Sequence, residues 1–365
     1  MSRWPFRVPT ERPAFLDVVT HARRGPGAST RLTVGQIEQI RRTVRRVPEA
    51  IAKVTGGGRN VGAVAAHIAY ISQHGEIELE TDEGQRVSKA GQKELLNNWH
   101  LDLSAGQYRP APRGPKNSVG GIKLVHNIVL SMPAPTPPDK VLAAAKTFAR
   151  EKFGLKYRYA MALHTHQEHP HVHIVVKAEG LDASRLHIDK AMLREWRQDF
   201  ARMMRDQGIA ANATPSAVRG RSKSAEWDDR YGTKRRRISV GLCAKVESVA
   251  KELAKSGAIR DPAHAKLAET RNAVVAGWLG VAALLDKQGL AVFAREVRQF
   301  VSGLPPVLTD RERIAAELVR RVKVQIGTET RRCGGARSYA RKNQVIFRAT
   351  HFRGANICAP RLSVP

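Results

Sequence analysis

Five of the thirteen histidines in this 365-residue chain lie between His164 and His173, in the stretch HTHQEHPHVHIVV (164–176). An even spread would put fewer than one there. The closing HVHIVV has the β-branched content and alternation of a strand. Residues two apart on a strand share a face, so His171 and His173 project together, with Val175 beneath them. If Gln167 to Pro170 is a four-residue turn, His166 faces His171 and His164 faces His173. Shifting the register by one pair puts His164 opposite His171, and the shared face survives; a slip of one residue would destroy it. Neighbouring strands lie about 4.8 Å apart, so ring nitrogens from both can reach one ion. His164, His166, His171 and His173 are therefore expected to converge, and three neutral imidazoles from such a set, with open positions, describe a catalytic rather than a structural site. The bland alternative is an exposed histidine-rich turn, to which His169 belongs in either case. Imidazole suits Zn, Mn, Co or Ni, whereas phosphate substrates bring Mg. A divalent ion, Mg or Mn foremost, is the expected cofactor.

A metal beside basic surface suggests phosphoryl transfer, which needs a nucleophile. Tyr70 is the candidate, in AVAAHIAYIS (63–72), with His67 three residues before it and His74 four after, both able to lie on its helical face. A phenol of pKa about 10 is roughly a thousandth ionised at neutral pH, a handicap of about 4 kcal/mol that a base or metal field must offset. The alternative is a packed helix aromatic.

Residues 1–47 form a basic arm rich in Pro, Gly and Arg, with one helix expected from Gly35 to Val47. A short strand from Glu49 runs into the glycines at 56–58, a chain-reversing loop ahead of the Tyr70 helix. IELETDEGQRV (77–87) reads as a hairpin, KELLNNWHLDL (93–103) as a short helix, and 109–121 as a loop carrying Lys116 and Ser118. GIKLVHNIVLSMP (121–133), with His126, is the strongest strand. A helix follows from Asp139 to Gly154, then the histidine hairpin, then a helix from about Asp189 to Gln207. The expected fold class is α+β, an antiparallel sheet with helices packed on one face, followed by a mostly helical region. The α+β domain spans 48–220, a basic linker 221–239, a helical region 240–325, and a basic tail without clear period 326–365.

Composition bounds the partner. Lys and Arg number 62 against 33 Asp and Glu, a formal net charge of +29. Self-repulsion on that scale opposes compaction, so a polyanion, by default nucleic acid, is expected to neutralise it. Cys243, Cys333 and Cys358 form no CxxC pair, which fits a reducing cytoplasm. The first residues, MSRWPFRVPTERP, lack the apolar core of a signal peptide, and the longest apolar run, Ala273 to Leu285, is too short to cross a bilayer. The expectation is a cytoplasmic protein without membrane insertion.

These residues resemble the relaxases, the mobilisation nucleases of conjugative elements within the HUH endonuclease superfamily, and the plasmid P-type relaxases among them. His171-Val172-His173 matches the His-hydrophobic-His signature, and His164 takes the place of the third, upstream histidine. AAHIAYIS resembles the family's N-terminal tyrosine helix at Tyr70. A loop serine before a strand carrying a histidine is matched by Ser118 and His126 in KNSVGGIKLVHNIVLSMP. The order tyrosine, serine motif, histidines is that of relaxases; replication initiators of the superfamily carry the tyrosine last, where Tyr231 would stand. The family's His-x-Asp reads His164-x-His166 here, replacing an acid able to orient a ligand or take a proton.

The resemblance covers about residues 48–220. It implies a nick in one DNA strand at a transfer origin, with Tyr70 forming a 5′-phosphotyrosyl link. His164, His171 and His173 are then the metal ligands, His126 and His166 are base or supporting candidates, and Ser118 contacts DNA, to which the basic surface adds Lys116. Relaxosome accessory proteins and a coupling ATPase are the partners implied. Two other readings remain open: a non-catalytic basic nucleic-acid binder with a structural histidine cluster, and a metallo-phosphoesterase using water.

Overall fold

A computed structural model of the chain describes residues 31–101, 103–104, 122–220 and 240–332. Ser118 and Lys116, the candidate DNA contacts, and the alternative Tyr231 lie outside the described residues, as do 221–239 and 333–365. The chain divides into two compact units, Ile37–Thr214 and the residues on either side of it.

The first unit is built on six antiparallel strands: β1 (Ile51–Gly56), β2 (Leu79–Thr81), β3 (Arg86–Val87), β4 (Val125–Ser131), β5 (Tyr159–His164) and β6 (His171–Lys177). Their order across the sheet is β1-β4-β6-β5-β2-β3. The helices are α1 (Val34–Val44), α2 (Val61–Ile71), α3 (Gln92–Asn98), α4 (Pro138–Phe153) and α5 (Lys190–Asp206). Helix α4 starts with Pro at a position where its missing N–H costs nothing, and carries Asp139 in its first turn and Arg150 and Lys152 in its last, matching the helix dipole. Helix α5 is capped by Asp189, whose Oδ1 accepts from the Met192 amide at 2.7 Å. The two helices are tied by an ion pair of Lys152 and Asp199 at 2.5 Å.

Alternation along the strands separates two cores. Val172, Ile174 and Val176 of β6 join Ile128 and Leu130 of β4 in a core with Phe148, Phe153, Trp196 and Phe200 from α4 and α5. The Phe148 ring stands edge-on to Phe153, Trp196 and Phe200, with centroids 6.0, 5.9 and 6.4 Å away. Phe148→Ala is therefore expected to cost about 3–5 kcal/mol, through lost burial and a cavity that cannot collapse. A urea titration should show the midpoint falling at constant slope.

The opposite face carries the second core: Val64, Ile68 and Ile71 of α2 with Leu95, Val125, Ala160, Ala162 and Val175. Helices therefore pack on both faces, not one. Ala160 and Ala162 explain it, because methyl side chains on β5 let a short apolar helix settle directly on the sheet. The glycine loop sets where that helix begins. A Cβ on Gly58 would lie 2.4 Å from the Val64 side chain, and one on Gly57 would lie 2.3 Å from the Val125 carbonyl oxygen. Asn60 then caps α2, its Oδ1 accepting from the Ala63 amide at 2.7 Å.

The expected helix at Gly35–Val47 is α1. Its Thr43 Oγ1 lies 2.8 Å from Thr214 Oγ1, so the end of this helix is fixed within the first unit. The described residues of the other unit include α6 (Val240–Ser256), α7 (Ala263–Lys287), α8 (Ala291–Ser302) and α9 (Asp310–Arg332). The apolar run from Ala273 lies on α7, which buries Val274, Trp278, Val281, Ala282 and Leu285 along one stripe. Trp278 donates its ring N–H to the Val218 carbonyl at 2.9 Å. Helix continues to Arg332, into a stretch where the sequence shows no clear period. No described helix is long and apolar enough to cross a membrane.

Candidate functional site

The hairpin of β5 and β6 takes the second of the two registers consistent with a shared face. His164 pairs with His171, and Ala162 with His173. The rings of His164, His171 and His173 converge, with centroids 4.5–5.2 Å apart. One ring nitrogen from each lies within 4.8 Å of the others, and all three side chains are buried.

Hydrogen bonds determine which nitrogen each neutral ring offers. His164 donates from Nε2 to the Ile71 carbonyl at 2.6 Å, which leaves Nδ1 buried with no partner. His171 donates from Nδ1 to the His169 carbonyl at 2.9 Å, which leaves Nε2 as the lone-pair atom. His173 Nδ1 is buried with no partner. Buried polar atoms without partners are costly, and a ring held by a backbone carbonyl on its other nitrogen is the usual support of a metal ligand. Three imidazole donors with two orphaned buried nitrogens fit a divalent ion.

Burial pushes all three rings below the ordinary imidazole range, and the neighbouring basic groups push the same way. His173 is lowered furthest, to about 3, by burial first, then by His164, His171, His67 and Lys53. At neutral pH the cluster therefore stands uncharged and able to coordinate. The consequence for stability has a definite sign. The unfolded chain binds protons near pH 6.5 and the folded one does not, so the stabilisation is fully present above pH 6.5 and is lost as pH falls toward the depressed folded values. Without metal, stability from urea titrations is expected to decline from pH 6.5 to 4.5, with His173 contributing up to ~1.4 kcal/mol per pH unit. Replacing His173 by Gln should make that decline shallower.

Helix α2 brings Tyr70 to the cluster. Its ring lies 6.0 Å from His173 and 6.5 Å from His164, edge-on to both. It is 55% exposed, so the phenol is open to a large substrate. His67, one turn earlier, stacks on Tyr70 at 5.9 Å and stands edge-on to His173 at 6.3 Å. Burial lowers its pKa, and its Nε2 has no partner. His74 does not share the Tyr70 face. The helix ends at Ile71, and Gln73 and His74 take left-handed backbone conformations, with φ of 50° and 59°. That turn sends Gln73 toward the hairpin, where its Nε2 donates to His166 Nδ1 at 2.7 Å.

His166 sits in the exposed turn, with its ring 5.1 Å from His164 and 6.1 Å from His171. It borders the triad without being one of the three. His126 is a correction. It pairs with Val176, on the α4–α5 face of the sheet, whereas the triad lies on the α2 face. Its Nε2 donates to the Leu186 carbonyl at 3.1 Å, and burial lowers its pKa. A side chain on the far side of a continuous sheet cannot serve the triad.

The model of the MobA/VirD2-like relaxase nuclease domain matches residues 111–209. That segment is similar to the relaxase nuclease family. The match takes in β4, α4, β5, β6 and α5, so all three histidines lie within it. Tyr70 and α2 precede it, and ring geometry joins them to the three histidines. No curated protein matches the chain.

Proposed function

We propose that the protein nicks one strand of DNA at a transfer origin by metal-assisted tyrosine transesterification, in conjugative transfer or mobilisation. The observation that carries this reading is the approach of Tyr70 to within 6.0 and 6.5 Å of the rings of His173 and His164. His164, His171 and His173 would hold the ion, which when bound supplies positive charge to a non-bridging oxygen of the scissile phosphate. Mg or Mn suits a phosphodiester substrate, although the donor set itself would also accept softer ions.

The remaining work falls to the chain. Tyr70 oxygen attacks phosphorus and the bond to the 3′ oxygen breaks, leaving a 5′-phosphotyrosyl link and a free 3′-hydroxyl. His67 is the ring nearest Tyr70 outside the triad, and it accepts the phenolic proton in this reading. The 3′ oxygen takes up a proton as it leaves. Because one ester replaces another, the reverse attack by a 3′-hydroxyl reseals the strand. His166, tied to Gln73, is assigned to holding the hairpin turn against the end of α2. Ser118 is assigned to DNA beside the nick by resemblance, and Lys116 to DNA as part of the basic surface. The net charge of +29 supports a single-stranded DNA partner.

The test is incubation with single-stranded oligonucleotides tiling the cognate origin, with and without Mg or Mn. A denaturation-resistant protein–DNA adduct is expected only with metal. Cleaved ends without an adduct would instead indicate water as the nucleophile. Binding to the origin without cleavage would indicate a plain nucleic-acid binder.

A further inference from the structure

Across the sheet from the triad, on the same face, stands a lysine that the chemistry so far leaves unused. Lys53 of β1 pairs with Val129 of β4, which pairs with His173 of β6. Directly opposed residues share a face, so Lys53, Val129 and His173 form one row. Val129 is 5% exposed and gives that row an apolar floor, while Lys53 is exposed. Among the described residues Lys53 makes no ion pair or hydrogen bond. Its ammonium group is carried on the row that ends at His173, two strands away.

Charge balance gives this placement a direction. Three imidazoles are neutral donors, so a divalent ion among them keeps its full charge. Among the described residues the group able to hold an ion is His164, His171 and His173, with no carboxylate in it. A lysine beside such a site opposes cation binding unless an anion lies between the two. We infer that Lys53 binds a non-bridging oxygen of the scissile phosphodiester, on the β1 side of the triad. This rests on the reading of the triad as a metal site. An edge-strand lysine also serves solubility, so the test must read something solubility does not move.

Cobalt(II) and inorganic phosphate are suitable probes, with visible absorption reporting the ion. In the parent protein cobalt should bind, and its spectrum should change on adding phosphate. In Lys53→Gln the dissociation constant for phosphate should rise at least about fivefold while that for cobalt falls; Lys53→Arg should stay close to the parent. Loss of one phosphate contact should also lower the slope of log affinity against log salt, for a mixed-sequence single strand, by about 0.7. Weakening of both cobalt and phosphate would mean local distortion and overturn the inference, as would an unchanged phosphate affinity. Weaker phosphate binding with an unchanged salt slope would assign Lys53 to a free anion and overturn the phosphodiester assignment. Failure of the parent to bind cobalt would overturn the metal site itself, a separate result.

Discussion

Tyr70→Phe is expected to abolish the covalent protein–DNA adduct while leaving the fold, metal binding and DNA binding in place. The substitution removes one oxygen and nothing else. The ring keeps its stack on His67 at 5.9 Å and its edges against His164 and His173. Because the residue is 55% exposed, loss of the hydroxyl should change stability by no more than ~0.5 kcal/mol. The effect on chemistry should be far larger. Without the phenol no phosphotyrosyl ester forms, and nicking should fall at least about a thousandfold, or roughly 4 kcal/mol in the barrier. The measurement is adduct yield on a denaturing gel beside cobalt affinity and single-strand affinity for the same variant. Nicking that persists at the parental rate would remove Tyr70 from the mechanism and return the histidine cluster to a water-using phosphoesterase.

What was legible in the sequence and what was not divides along physical lines. The convergence of histidines was legible because strand parity is local: His171 and His173 share a face whatever else the chain does, both plausible hairpin registers kept His164 with them, and parity alone admitted His166 as a fourth. His126 was misplaced because parity within β4 says nothing about parity between strands. Only the pairing of Val129 with His173 and of His126 with Val176 decides which face it takes. His74 failed for a related reason. Helical spacing extrapolates past Ile71, but Gln73 and His74 adopt left-handed conformations that few side chains favour and no local pattern announces. Lys53 gave no signal, since a lone lysine on a strand reads as a solvated edge. Packing on both faces had a trace, in retrospect: Ala160 and Ala162 alternate on the face shared with His164, and small side chains there leave room for α2.

The second large effect is expected at His173, and it separates the metal's contribution from the fold's. In the metal-free protein this ring is buried, its Nδ1 has no partner, and burial drives its pKa down to about 3. A buried unpartnered nitrogen works against the folded state, so removing it recovers part of what the lost ring contacts cost. His173→Ala should therefore leave metal-free stability within about 1 kcal/mol of the parent. Metal binding should respond very differently. Loss of a supporting partner of a ligand typically costs 10–100-fold in affinity, so loss of one of three ligands should cost more than about 100-fold. For the parent, ion at a hundred times its dissociation constant should stabilise the fold by about 2.7 kcal/mol, and in the variant at the same concentration by less than ~0.5 kcal/mol. His164→Ala makes the contrasting case. Its Nε2 satisfies the Ile71 carbonyl at the end of the Tyr70 helix, so the variant strands a buried acceptor and should lose stability even without metal. Thermal melts of both variants, with and without Mn, distinguish the two: a small loss without metal and no metal response for His173→Ala, a loss in both conditions for His164→Ala. Equal metal responses in parent and His173→Ala would show that the ion binds elsewhere.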